Sequence, residues 1–380
     1  VPVLCVTGQI PSAYIGRGHG MLHEIPDQLS ILQGLTKWAA RIDHPTDAPG
    51  KVGEAFRQLR TGRPQPVAIE MPLDQLAQKA NVDLQDAVSD HTRPPVDEDA
   101  LIKAAELLAG AKAPMIFVGS GAVNCGEAVQ ALAEILQAPV IANRTGRGVV
   151  SDRHYLSMTH LAGHHLWPDA DVVLAIGTRL QQPRMNWGTD DKLKIIHVDI
   201  DPVEIKRTDT PDVAMVGDAQ DIVPALLEAV GKIAPARASR KDELLAVQAG
   251  VHDMLLDRLG PQMSWIKVIR EGLDDDGIFV DELTQVGYVS RIAMPIYQPR
   301  TFLTSAYQGT LGSGLATAIG AKIANPERQV LSINGDGGFM YNVQELATAV
   351  KYNVAVVAIV FADGAFGNVR RMQQNLYDGR

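Results

Sequence analysis

The chain has 380 residues, a net charge of −9, 46% hydrophobic and 21% charged residues. That balance excludes disorder, collagen-like repeats and coiled coil, and the negative charge argues against a broad nucleic-acid surface. The longest apolar runs, such as 354-VAVVAIVFA-362, fall far short of the roughly 20 residues a membrane span needs.

At roughly 100–200 residues per domain, two or three domains are expected. The chain opens in VPVLCVTG, read as a buried strand and turn rather than a signal peptide. It closes on LYDGR just after a strongly patterned segment, so the expectation is an internal piece of a longer protein. In residues 1–80, the segment 26–42 reads as amphipathic, 52-VGEAFRQLR-60 as helix and 66-PVAIEMP-72 as a short buried strand. Residues 81–97 are polar, acidic and Pro-containing and read as a linker. From 98 to 230, helical patterns (98–110, 127–137, 219–230) alternate with strands (114–119, 139–142, 171–177, 194–200, 213–217). Such alternation predicts a doubly wound parallel sheet. Residues 231–262 form a connector with one helix, 241–256. From 263 to 380, helices 264–273, 312–323 and 343–352 alternate with strands 277–282, 329–336 and 354–361. The predicted class is α/β with three doubly wound parallel-sheet domains, the first and last incomplete. Cys5 and Cys125 exclude a disulfide framework and lead to a reducing, cytoplasmic setting as the expectation.

The stretch 333-INGDGGFMYNVQELATAVKYNVAVVAIVFADGAFGNVRR-371 carries the chemistry. A hydrophobic strand runs into Gly335-Asp336-Gly337, and ligands of open parallel sheets sit at such strand ends. Glycines there let the backbone approach a phosphate, and Asp336 adds a hard carboxylate suited to Mg²⁺. Asn342 and Glu345 have capping-box spacing, and Val343, Leu346, Ala347 and Val350 would form the buried face of the following helix. The crossover returns through a second apolar strand to Ala362-Asp363-Gly364, which brings Asp363 beside Asp336. Two carboxylates with the glycine-rich backbone make half an octahedral shell, and a diphosphate can supply the rest. A lone Asp-Gly pair is more often a turn; two such turns bracketing one crossover weaken that reading.

This segment resembles the thiamine diphosphate (ThDP) signature of the acetolactate synthase and pyruvate decarboxylase superfamily, in which GDG is followed by NN. Here Ala362 and Asp363 stand at the two Asn positions. The resemblance implies that Gly309, Leu311, Gly335, Asp336, Gly337, Gly338, Asp363, Ala365, Phe366 and Gly367 bind the cofactor. It implies Mg²⁺ held by Asp336, Asp363 and the carbonyl of Ala365. Upstream, 304-TSAYQGTLGSGLATAIGAK-322 resembles the family's Gly-rich turn and implies that Leu311 props ThDP in its bent shape. Residues 6–38 resemble the end of the pyrimidine-binding domain, with His23 where acetolactate synthases carry a substrate-facing Gln. A His there could donate a proton or a hydrogen bond; a surface His is the plainer reading. The family's catalytic Glu is implied to lie upstream of residue 1, and the active site to be shared between subunits of a homo-oligomer.

In the central block, Gly119-Ser120-Gly121 lacks the third Gly of a GxGxxG, since Asn124 stands there. This argues against a nicotinamide dehydrogenase. Gly119, Gly121, Gly177, Arg179, Asp199 and Asp218 match the positions that line a FAD in acetolactate synthases. Gln181 and Gln182 replace acidic residues of those enzymes. Two readings stay open: a flavin site, or a structural Rossmann-like domain. The implied reaction is decarboxylation of a 2-keto acid, pyruvate first, with carboligation to a second carbonyl. The LTKWAAR run (35–41) is also similar to benzaldehyde-lyase-like carboligases. A simple decarboxylase and a non-catalytic ThDP binder remain alternatives. Met372 stands where biosynthetic acetolactate synthases carry a Trp, and Arg370 and Arg371 could face a carboxylate. Neither nucleic acid nor membrane is expected as a partner, and the sequence is silent on a regulatory subunit.

Overall fold

The computed structural model describes residues 1–86, 93–305 and 307–379. It divides into two compact units, Val1–Pro94 and Pro95–Arg380.

The first unit holds a three-stranded parallel sheet of β1 (Leu4–Gln9), β2 (Trp38–Arg41) and β3 (Val67–Pro72), in the order β1-β3-β2. Ile42, Ala55, Leu59, Val67 and Ile69 form its core, with the helix Ala48–Arg60 laid on the sheet. The single amphipathic segment expected over 26–42 is corrected. A helix runs only over Gln28–Leu35, capped by Asp27, and the chain then enters β2. The Thr36 hydroxyl donates to Leu32 O at 2.7 Å at the end of the helix, and Ala39 and Ala40 are buried on a strand paired with β3. Strand pairing overrides a pattern that local periodicity reads as helix. Of the linker expected over 81–97, residues 87–92 lie outside the described residues, and the described remainder is in neither helix nor strand.

The second unit holds two parallel sheets. The larger comprises β4 (Pro114–Val118), β5 (Val140–Ala142), β6 (Ser157–Met158), β7 (Val172–Ile176), β8 (Lys194–Asp199) and β9 (Val213–Val216), ordered β6-β5-β4-β7-β8-β9. The smaller comprises β10 (Ile278–Val280), β11 (Phe302–Leu303), β12 (Val330–Gly335) and β13 (Val357–Phe361), ordered β11-β10-β12-β13. The fold is therefore α/β with three parallel sheets. β4 and β7 are buried at every residue, as strands covered by helices on both faces must be. The helix Gly126–Leu136 shows why: Val129, Leu132, Ala133 and Leu136 fall on one face and are fully buried. Each such Leu contributes about 1.5–3 kcal/mol. The helices expected at 241–256 and 264–273 run on as Lys241–Gly272, with a break at Leu259 (φ −134°). Pro261 explains the break, because it lacks an N–H and its ring crowds the carbonyl four residues back. β6 and β11 escaped sequence reading because two residues are too few to show a periodicity.

Cys125 sits at the start of the helix Gly126–Leu136. Burial, reinforced by the Asp218 carboxylate, pushes its thiol up to about 11. At pH 8 only roughly a thousandth of it is thiolate, the nucleophilic form. Cys5 is exposed. A thiol reagent at pH 8 is expected to label Cys5 and to reach Cys125 only in denaturant. Equal labelling rates at the two sites would contradict the burial.

Candidate functional site

The smaller sheet changes direction at β10, with β11 on one side and β12 and β13 on the other. Ligands bind outside the carboxyl ends of strands at such a switch point. Three chain segments leave the sheet there: Asp281-Glu282 after β10, Asp336 after β12, and Ala362-Asp363 after β13.

β12 and β13 pair in parallel, with Gly335 opposite Phe361. Asp336 and the Asp363 turn are therefore neighbours. The Asp336 carboxylate accepts from Gly337 N–H at 2.8 Å and from Gly364 N–H at 3.2 Å, so it ties one turn to the other. Gly364 has φ +63°, a conformation L side chains rarely adopt. Asp363 accepts from Ala365 N–H at 3.2 Å. A Cβ on Gly367 would stand 3.1 Å from the other Asp363 oxygen, and one on Gly337 would stand 3.3 Å from Phe366. The two carboxylates and the glycines thus line one surface that a side chain would narrow. Asp336 and Asp363 offer hard oxygen donors of the kind Mg²⁺ takes. Among the described residues no group of three or more His, Cys, Asp or Glu converges on a metal position. A cation held here would complete its shell from carbonyl and ligand oxygens.

The Gly309–Gly312 turn faces the same end of the sheet. Gly309 and Gly312 have φ +60° and +81°, and Leu311 between them is 43% exposed. Ala306, within the Gly-rich segment, lies outside the described residues. The expected capping box is corrected: Asn342 donates from Nδ2 to Gly312 O at 2.6 Å, and Gln344 stands at the N-cap of the helix Glu345–Lys351. Asn342 thus ties the Leu311 turn to the segment after Asp336. The expected buried face of that helix is also corrected. Ala349 is its buried residue, while Leu346 and Val350 are exposed, Val350 at 82%. The helix is only seven residues long and meets its neighbours on the Ala349 side.

Three residues at this site escaped sequence reading. Glu282 is buried, and its carboxyl accepts from Gly312 N–H. Thr284 caps the helix Gln285–Ala293 through Gly287 N–H at 2.8 Å, and a Cβ on Gly335 would stand 3.5 Å from its methyl group. Gln285 Nε2 would stand 3.7 Å from a Cβ on Gly367. The available signal was the strand ending GIFVDE followed by polar residues, at a sheet edge where ligands gather.

The other candidates fall elsewhere. His23 belongs to the first unit, exposed in a loop at φ +69°. Arg370, Arg371 and Met372 lie on the helix Gly367–Tyr377, where Arg371 donates to Asn368 Oδ1 at 2.7 Å and Met372 is 49% exposed. In the larger sheet, Gly119 and Gly121 after β4 pack directly on Gly177 and Thr178 after β7. Arg179 pairs with Glu204 at 2.9 Å and lies over the Tyr307 ring. Asp199 accepts from Asp201 N–H at 2.9 Å, and Asp218 caps the helix Ala219–Ile233. Beside them a cavity of about 260 Å³ is lined by Asn143, Arg144, His160, Gln182 and Tyr307, among others. Burial holds the His160 imidazole below its ordinary pKa.

Two family models match. The thiamine pyrophosphate enzyme central domain matches residues 101–226, and the thiamine pyrophosphate enzyme C-terminal TPP binding domain matches residues 284–380. The chain is 31% identical to the acetolactate synthase isozyme 1 large subunit of Escherichia coli, over its whole length and 68% of that protein. It is 33% identical to a probable acetolactate synthase large subunit of Methanocaldococcus jannaschii, again over its whole length and 68% of the relative. It is 34% identical to a probable 2-ketoarginine decarboxylase of Pseudomonas aeruginosa, over 97% of this chain and 67% of that one. Joined to a three-sheet α/β fold with glycine- and aspartate-rich turns at adjoining strand ends, these matches make the chain a member of the thiamine pyrophosphate-dependent enzymes, with acetolactate synthase large subunits among its relatives.

Proposed function

We propose that this chain is part of a ThDP- and Mg²⁺-dependent enzyme that decarboxylates a 2-keto acid, pyruvate first, and joins the product to a second carbonyl. The observation that carries the reading is the link from Gly364 N–H to Asp336 across the ends of β12 and β13. It fixes two acidic turns side by side, with glycines where a diphosphate backbone contact is needed. Asp336, Asp363 and the carbonyl of Ala365 would hold Mg²⁺, and the Gly335–Gly338 and Gly364–Gly367 backbones would hold the diphosphate. When bound, ThDP supplies the nucleophilic carbon and the electron sink for loss of CO₂. Leu311, half-exposed on a turn pinned through Gly312, would support the cofactor's central bend. His23 is a candidate for hydrogen bonding to substrate. The reading needs no flavin: Gly119, Gly121 and Gly177 pack on backbone, and Arg179, Asp199 and Asp218 are engaged by Glu204, Asp201 and a helix N-terminus. A homo-oligomer with a shared active site completes the proposal.

A second reading, simple decarboxylation of a longer keto acid, is favoured by the 34% identity to a probable 2-ketoarginine decarboxylase. One experiment separates them. The full-length protein is given pyruvate or 2-ketoarginine with ThDP and Mg²⁺, and acetolactate, aldehyde and CO₂ are measured together. ThDP-dependent acetolactate from pyruvate is expected. Aldehyde and CO₂ without a new carbon–carbon bond would move the assignment to a decarboxylase. No turnover of either acid by ThDP-loaded protein would reject both donors.

A further inference from the structure

Glu282 lies at the centre of the cofactor end of the smaller sheet and is 1% exposed. One oxygen, Oε1, accepts from Gly312 N–H. The other, Oε2, is buried with no hydrogen-bond partner among the described residues. Asn334, at the end of β12, is fully buried and in the same condition: its Nδ2 donates to Ser332 Oγ at 2.9 Å, and its Oδ1 is unpartnered. The two orphaned oxygens face one point. A Cβ on Gly314 would run into Asn334 Oδ1 and stand 3.1 Å from Glu282 Oε2. A Cβ on Gly338 would run into Glu282 Oε1. Two glycines therefore make room for this carboxyl, one on the helix Ser313–Ala324 and one in the Gly-Asp-Gly-Gly segment.

Two buried acceptors beside the one Gly314 position, each without a donor, cost the desolvation of both, about 1–3 kcal/mol each. One proton resolves the conflict. We propose that Glu282 is a positioning residue that carries a proton, donates from Oε2 to Asn334 Oδ1 and accepts from Gly312 N–H through Oε1, so that one neutral carboxyl clamps the Leu311 turn to the end of β12. Burial pushes the Glu282 carboxyl above its ordinary range; the Gly312 N–H opposes this and the neighbouring Asp281 charge adds to it. Asp281 in turn is paired to Arg291 at 2.6 Å. With the Gly312 N–H held by Glu282 and the Gly312 carbonyl held by Asn342, the residue that follows Leu311 is fixed through both of its backbone polar groups. A residue that must meet a cofactor within a fraction of an ångström is held in this manner by its supporting shell.

The inference rests on the ThDP reading for its purpose but not for its geometry, so the test has two arms. Glu282→Gln reproduces the proposed pattern, one acceptor toward Gly312 and one donor toward Asn334. Glu282→Ala removes both. ThDP affinity with Mg²⁺, by titration calorimetry, is expected to stay within about threefold of the parent in Glu282→Gln and to fall roughly tenfold or more in Glu282→Ala. Thermal melting of the cofactor-free proteins should rank them in the same order, and this arm holds even if ThDP is not the ligand. Infrared difference spectra of the parent against Glu282→Gln at pH 7 should contain the carbonyl band of a protonated carboxyl. If Glu282→Gln is as damaging as Glu282→Ala, or fails to fold, the carboxyl is ionised and the proposal is wrong. If both variants bind ThDP as the parent does, the positioning role is wrong.

Discussion

Replacing Asp336 with Ala is expected to weaken ThDP binding at saturating Mg²⁺ by at least about 100-fold, close to 3 kcal/mol. The carboxylate does two jobs at once. It accepts from Gly337 and Gly364 N–H, the second bond joining the β12 turn to the β13 turn. Hydrogen bonds to a charged group contribute roughly 1.5–3 kcal/mol. Its remaining lone pairs are those proposed to meet the cation, so the variant loses a metal ligand and the turn geometry together. Asp336→Asn keeps the shape and one acceptor oxygen and should lose less. Calorimetric titration with far-ultraviolet circular dichroism as a folding control checks both. Parent-like affinity in Asp336→Ala would remove Asp336 from the cofactor site.

The largest effect on stability should come from Arg147→Ala, a loss of about 3–5 kcal/mol in the second unit. Arg147 is 3% exposed and leaves the loop after β5 to reach the end of the helix Gln285–Ala293. There it donates to Ser290 O at 3.0 Å, Arg291 O at 3.2 Å and Met294 O, and pairs with Asp152 at 2.8 Å. Truncation removes the cation paired with Asp152, which keeps only the Ser157 hydroxyl and the Ile296 N–H, and takes a donor from three carbonyls at a helix end, of which Ser290 O keeps the Met294 N–H. Arg147→Lys should recover only part of the loss, because an ammonium cannot fork to four acceptors. The exposed Arg153–Asp275 pair is the contrast. Both partners are more than half exposed, and Arg153→Ala should leave the melting midpoint unchanged. Urea melts of the three variants test this ranking, and parent-like unfolding of Arg147→Ala would contradict it.

The motif proposed to bear the chemistry was legible because its signals are local and mutually consistent. An apolar strand, a glycine-flanked aspartate, a helical stretch and a second apolar strand ending in Asp363 require no knowledge of distant residues. The parallel pairing of β12 with β13 follows from the helical crossover between them, and with it the meeting of the two acidic turns. Motif resemblance added the cofactor, which no periodicity carries. Where local signals compete, the reading failed. Asn342 and Glu345 have the spacing of a capping box, yet the Asn342 amide is drawn to Gly312 O, thirty residues away in sequence. Val350 fits an apolar face, yet that face is open in this chain.

By itself, the sequence determined the α/β class, the parallel sheets implied by alternating elements, and the two acidic turns. These follow from side-chain periodicity and backbone sterics, which act over a few residues. Tertiary structure alone decided that Glu282, Gly312, Asn334 and Gly338 share one buried space, and that Arg147 secures the helix carrying Gln285. Those contacts join residues 30 to 147 positions apart. Close packing of strand ends makes them, and the desolvation of each polar atom they bury sets its hydrogen-bond partner.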